Sequence, residues 1–388
     1  MHVVIAPDAF KGTFTAGEAA EALKAGWDAQ SPGDDVRCLP LADGGAGTLQ
    51  VLYEAAVRQA DAEESSKPPH FREAEVAGPG GDAVVCKWLM LPNGVAAVEL
   101  NLSSGLPLLS RPDPLGAHTV GLGQIICHAM DAGASSIMIG LGGSASTDGG
   151  TGALAALGAR FLDAAGCPLD RGGGSLRNLA SVDISNLRTP PRGGVTCLVD
   201  VTAPLLGPRG SAAVYGPQKG ADGGQAAQLA AGLARLSEVL GGKPDSPGAG
   251  SAGGTAYGLA TCWGAVIIPG APFLCQAAGL ENELADADLV ITGEGCYDAT
   301  SLTGKATGAV LAAARAAGVP AVMVCGEVSA PLPVTTITLA SLAGGTERAM
   351  TDPARWLRRA GQEIAQARVR RSGVGRQLSS GYRNKKGD

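Results

Sequence analysis

Five carboxylates stand at the ends of apolar runs in this chain. Asp8 follows VVIAP, Asp43 follows CLPLA, Asp148 follows IMIGLGGSAST, Asp200 ends CLVD and Glu294 follows LVITG. Taken singly, each reads as an ordinary turn or cap residue; five at equivalent ends form a pattern. Acids gathered at strand ends repel one another unless cations or lysines hold them. Lys11, Lys219 and Lys305 occur in loops of the same kind. Carboxylates offer hard oxygens to magnesium, while lysines and glycine-rich backbone offer positive charge and bare N–H groups to phosphate. The combination suits a magnesium–polyphosphate site.

The segment GLGGSASTDGGTG (140–152) joins an apolar run to the helical pattern ALAALGARFL. Glycines let the backbone approach an anion, and a helix N-terminus adds a favourable dipole. The plainer alternative is a tight strand–helix turn. A Walker loop is excluded, because no GK[ST] follows at the required spacing. After the first apolar run stands PDAFKG rather than GxGxxG, which argues against hydride transfer from a dinucleotide. The four histidines, His2, His70, His118 and His128, have no zinc-ligand spacing.

Positioning such groups requires a scaffold, and 388 residues are enough for two or three domains of roughly 150. Hydrophobic residues make up 45%, charged residues 17%, and the mean hydropathy of +0.14 excludes a disordered chain. The 59 glycines lack a period of three, which excludes collagen. Short apolar runs alternate with Ala-rich stretches, the signature of an α/β protein with mainly parallel strands. Strands are expected at Val3–Ala6, Val36–Leu41, Leu289–Thr292, Ala321–Gly326 and Thr335–Ala340, and through SIMIGL and TCLVDV. A helix is expected from Ala16 to Ala25 with Thr15 as N-cap, another from about Thr346, and a hairpin across the PNG turn between AVVCKWLML and VAAVELN. The polar, Pro-containing DAEESSKPPHFREAE and the loose GGKPDSPGAGSAGG mark crossovers. The expected architecture is a Rossmann-like parallel-sheet domain built from both chain ends (1–66 plus 266–372) with an inserted second α/β domain (67–265) and a basic, disordered tail (373–388).

The net charge of −6 is uneven. Arg368–Asp388 holds seven Lys or Arg and one Asp, so +6, leaving −12 on the rest. An acidic body argues against a nucleic-acid binder. No apolar stretch reaches the ~18 residues of a membrane span, and MHVVIAPD is no signal sequence. Nine scattered cysteines without a CxxC pair read as reduced thiols. The expected setting is the cytoplasm.

Several longer motifs, APDAFKGT (6–13), PLADGGAGT (40–48), GLPL (105–108), GLGGSASTDGGTGALAALG (140–158), DVTAPLLGPRGSAAVYGPQKGA (200–221) and ADLVITGEGCYDATSLTGK (287–305), resemble the bacterial glycerate kinase family of the glycerate 2-kinase type, in its order and over about residues 1–370. The resemblance implies ATP- and Mg2+-dependent phosphorylation of D-glycerate to 2-phosphoglycerate, with the active site in the cleft between the two domains. Against the family pattern, Ala46 replaces a Glu, Cys296 an Arg, Thr300 a Gln, Thr147 an Asn and Gln124 a Glu. A missing Arg removes a bidentate carboxylate partner.

On this reading Gly142, Gly143, Ser144, Asp148 and Gly149, together with Gly293, Glu294 and Lys305, handle the nucleotide. Asp8, Asp148 and Glu294 hold the metal. Lys11 and Lys305 neutralise charge on the transferred group. Asp200 is the base that orients the substrate hydroxyl, with Asp43 as its rival. Arg209 or Lys219 holds the glycerate carboxylate, and Asp8, Lys11 and Asp298 join them around the substrate. Two other readings stay open: a kinase for another small hydroxy acid or polyol, and a non-catalytic descendant that binds nucleotide or small acids.

Overall fold

Val3, Val4 and Ile5 are fully buried in the first strand, an unbroken apolar run of the kind that parallel sheets cover on both faces. The computed structural model describes residues 1–10, 12–62, 67–298, 301, 304–331 and 334–380. The chain opens with β1 (His2–Ile5), α1 (Ala16–Asp28) and β2 (Asp35–Cys38). Thr15 caps α1 through a capping box with Glu18, and Ala19, Leu23 and Trp27 share its buried face at four-residue spacing.

A long middle section follows. It begins with α2 (Thr48–Ala62), β3 (His70–Ala77), β4 (Ala83–Met90), β5 (Val95–Glu99) and the single turn α3 (Asn101–Ser104). It continues through α4 (Val120–Asp131), β6 (Ser136–Gly140), α5 (Thr151–Ala156), β7 (Arg160–Leu162), β8 (Ser181–Asp183) and β9 (Val195–Val199). Then come α6 (Ser211–Tyr215), α7 (Gly223–Leu240), α8 (Ser251–Trp263), β10 (Val266–Pro269) and α9 (Gly270–Ala277). The last section holds α10 (Leu280–Ala285), β11 (Leu289–Tyr297), α11 (Ala306–Ala317), β12 (Ala321–Val328), β13 (Thr335–Thr338), α12 (Leu339–Ala343), α13 (Thr346–Thr351) and α14 (Pro353–Ser380).

Two compact units result. The first comprises 1–41, 279–302 and 306–388; the second comprises 42–278 and 303–305. The first unit carries a five-stranded, wholly parallel sheet in the order β13-β12-β11-β1-β2. Its core joins Val3, Leu23 and Trp27 from the start of the chain to Leu289, Val322 and Leu357 from the end. The second unit carries a six-stranded sheet in the order β10-β9-β6-β5-β4-β3. Here β10, β9, β6 and β5 run parallel, whereas β5, β4 and β3 form an antiparallel meander. The expected hairpin across the PNG turn is β4–β5.

β2 ends at Cys38 rather than Leu41 and β13 at Thr338 rather than Ala340, and three further departures are larger. The division falls at 41/42 and 278/279 rather than at 66/67 and 265/266, because α2 and α9 pack together and α2 lies against β4 and β5 of the second unit. β11 does not end at Thr292; its pairing with β12 carries it to Tyr297, opposite Val328. Helical backbone continues through Ser380, where a disordered tail was expected from 373; residues 381–388 lie outside the described ones.

Candidate functional site

In the second unit, the loop after β6 is held by its own carboxylate. Asp148 has no exposed surface, and its Oδ2 accepts hydrogen bonds from the Thr119 amide and hydroxyl (2.8 Å each) and the Gly152 amide (3.2 Å). Its Oδ1 accepts from the Gly150 amide at 3.1 Å. The Thr119 hydroxyl in turn accepts from the Ala153 amide at 2.9 Å. The first-turn amides of α5, which the sequence offered to a phosphate, are therefore already occupied. Other loop amides are spent likewise: Gly142 donates to the Gly44 carbonyl and Gly149 to the Gly253 carbonyl. The Ser144 hydroxyl accepts from the Ser146 amide at 3.2 Å. Asp148 is thus a loop anchor rather than a metal ligand, and much of the 142–149 backbone is bonded to the surrounding protein.

Lys219 is corrected in the same way. It is buried, and its ammonium donates to the Ser146 carbonyl, bracing the loop from below. Burial lowers its pKa to about 8, with Asp148 opposing the shift. A lysine so enclosed does not reach out to a substrate carboxylate. Arg209, the other candidate for that task, is exposed.

The remaining acids of this unit gather at the carboxyl ends of its parallel strands. Asp43 is buried, and its Oδ1 accepts from the Gly45 amide at 3.0 Å. A β-carbon on Gly270, just past β10, would stand 2.2 Å from the Asp43 carbonyl oxygen. Asp200 directly follows β9, and a β-carbon on Gly304 would stand 2.5 Å from the Asp200 carbonyl oxygen. Lys305 is the next residue, so Asp43, Asp200 and Lys305 share one sheet edge, the usual ligand position in α/β folds.

In the first unit, Asp8 and Glu294 lie on neighbouring stretches of backbone. The Asp8 amide donates to the Gly293 carbonyl at 2.8 Å, which sets Asp8 beside β11. Both carboxylates are buried, and Glu294 Oε1 accepts from the Thr307 hydroxyl at 2.7 Å. Glu294 lies inside β11, four residues before Asp298, which is half-buried. Burial, helped by Glu294 and Asp298, raises the Tyr297 pKa. Among the described residues no group of three or more His, Cys, Asp or Glu could hold a metal ion. Buried carboxylates nonetheless suit magnesium, which binds one or two of them and completes its shell with water and phosphate oxygens. Lys11 and Thr300 lie outside the described residues. Ala46 and Cys296 are both exposed.

A family model described as "Glycerate kinase family" matches residues 3–369. The chain belongs to the glycerate kinase family. It is 40% identical over 340 residues to a glycerate kinase of Bacillus subtilis, covering 85% of this chain and 86% of the relative. A glycerate 2-kinase of Escherichia coli is 37% identical over 338 residues, with coverages of 85% and 86%. A crystal structure assigned to a glycerate kinase 2 of Salmonella typhimurium matches with a TM-score of 0.75 at 34% identity, over 97% of this chain and 99% of that one. The motif resemblance is borne out, and with it membership of a kinase family and the mixed α/β fold with mostly parallel sheets. No helix among the described residues is long and apolar enough to cross a membrane.

One buried acid of this family member escaped the sequence reading. Glu99 ends β5 and accepts from the Leu49 amide at 2.7 Å, with the Gly47 amide and the Asn101 side chain also bonded to it. It caps the start of α2, directly after the Asp43 loop. Burial outweighs these donors and pushes its pKa up to about 7. Its signal was present: in VAAVELN an apolar run ends in a carboxylate, as in the other five segments.

Proposed function

We propose that this chain transfers the γ-phosphoryl group of ATP to the 2-hydroxyl of D-glycerate, with Mg2+. The observation that supports it most is the family match from residue 3 to 369, together with the meeting of Asp43, Asp200 and Lys305 at one sheet edge. Phosphoryl transfer asks for positioning and charge neutralisation. Asp200 orients the substrate hydroxyl and takes its proton as the oxygen bonds to phosphorus and ADP departs; Asp43 is the alternative base. Lys305, with Lys11, balances negative charge on the transferred group, and Arg209 meets the glycerate carboxylate. Asp298 stays a candidate for substrate contact. Asp8 and Glu294 would hold magnesium, which when bound neutralises phosphate oxygens.

Incubation with ATP, Mg2+ and D-glycerate, read by phosphorus NMR, is expected to give 2-phosphoglycerate; exclusive formation of the 3-isomer overturns the regiochemistry. Asp200→Asn is expected to lower kcat by about a hundredfold or more while melting as the parent does. Near-normal turnover removes Asp200 from the base role. A second reading, a kinase for another small hydroxy acid, is favoured by exposed Cys296 standing where the family pattern carries Arg. A panel of hydroxy acids with ADP release as readout separates the two.

A further inference from the structure

The second unit holds a cavity of about 790 Å³ at the ends of β9 and β10, whose lining includes Asp200, Lys243, Ser246, Tyr257, Thr261 and Gly304. We propose that it receives the nucleoside part of the purine nucleotide that serves as phosphoryl donor. The inference rests on the kinase reading above and adds to it where the donor binds.

Three features of the cavity fit that occupant. The first is its two-sided chemistry. Most of the wall is apolar, from Leu240, Tyr257, Ala265, Ile267 and their neighbours, as a flat base requires for desolvation. The hydroxyls of Ser246 and Thr261 interrupt that wall and offer hydrogen bonds to a base edge or ribose. Among the lining side chains, charge is confined to Asp200 and the exposed Lys243. An occupant with an apolar ring and charged or polar groups matches this distribution.

The second feature is position. Asp200, the proposed base, lines the cavity, so a nucleoside inside it lies beside the proposed chemistry. The third is elimination within the same unit. The helix starts that glycine patterns offer to a nucleotide's phosphates, those of α5 and α2, are filled by Asp148 and Glu99. Lys243, in the cavity lining, is a side-chain cation of the same unit.

The backbone beside the cavity is also built tightly. Gly248 has φ +82°, and a β-carbon there would stand 3.0 Å from Ile267 Cγ2 and from Val199 Cγ2. The Tyr257 hydroxyl donates to the Gly241 carbonyl, and the Leu205 amide donates to the Pro244 carbonyl at 2.8 Å. The 241–250 loop is thereby tied to the body of the unit.

Photolabelling the full chain with 8-azido-ADP, followed by peptide mapping, is expected to place the adduct on residues 199–202 or 240–269. An adduct elsewhere, or none that excess ADP suppresses, overturns the proposal. Ala260→Trp, which fills the cavity from its partly exposed wall, is expected to weaken Mg–ADP binding in calorimetry and to raise KM for ATP at least about tenfold, leaving KM for D-glycerate within about twofold. Equal ADP affinity in this variant and the parent also overturns it; if Ala260→Trp does not fold, the labelling result decides. ADP bound in the cavity without phosphorylation of D-glycerate sinks the function proposed above and leaves the cavity assignment standing.

Discussion

Asp148 and Glu99 do the same work in two places: each supplies an acceptor to amides at a helix start that would otherwise have none. Their electrostatics differ. Asp148 gathers four donors and its charge supports that of the buried Lys219, whereas burial dominates at Glu99. The consequence for Glu99 has a definite sign. Its folded pKa of about 7 lies above the ordinary 4.5, so between these values the folded chain keeps a proton that the unfolded chain has lost. That stability is fully present below pH 4.5 and falls away as pH rises through 7, by about 3 kcal/mol at most. Glu99→Gln, which keeps an acceptor for Leu49, is therefore expected to gain on the parent across that interval in urea unfolding. Parallel stability curves for the two proteins contradict the assignment. At this scale the types of residue were legible and their uses only partly. Nothing local in the loop announces that Thr119, 29 positions earlier, takes up the oxygens of Asp148, or that Lys219 turns inward to a carbonyl 73 positions away.

Between elements, the approach of α1 to α14 depends on two glycines. A β-carbon on Gly26 would stand 2.0 Å from the Arg358 carbonyl oxygen, and one on Gly361 would stand 2.2 Å from that of Leu23. Helix propensity alone favours Ala over Gly by about 1 kcal/mol. Gly361→Ala is nonetheless expected to destabilise the protein by about 1–3 kcal/mol, because the helices must move apart. A raised melting temperature for this variant contradicts such close packing. Where signals were local, the elements could be read: the T-x-x-E of Thr15 and Glu18 marks the start of α1, and the apolar run of β1 marks a covered parallel strand. β11 could not be read to its end, because the glycines of GEGC suggest a turn and only pairing with β12 keeps them extended.

The two units differ in how the chain supplies them. Nearly all of the second is one continuous stretch, 42–278, with a core of its own. A fragment Ala42–Ala278 is expected to melt cooperatively by circular dichroism; a non-cooperative melt shows that it needs the rest of the chain. The boundary before it was misplaced because DAEESSKPPHFREAE has the composition of a linker, while the crossing at 41/42 carries no mark beyond the glycines of the Asp43 loop. The first unit has the opposite character. β1 takes β11 as its neighbour, as in the bond from the Thr292 hydroxyl to the Ala6 carbonyl 286 positions away, and Leu23 and Trp27 share a core with Leu357 of α14. On the ribosome, at about 5–20 residues per second, the opening strand and helix therefore wait tens of seconds for their partners. The inserted unit has emerged in full by then. The N-terminal forty residues thus form an adhesive stretch on the nascent chain, and synthesis of this protein places an early demand on chaperones that shield such segments.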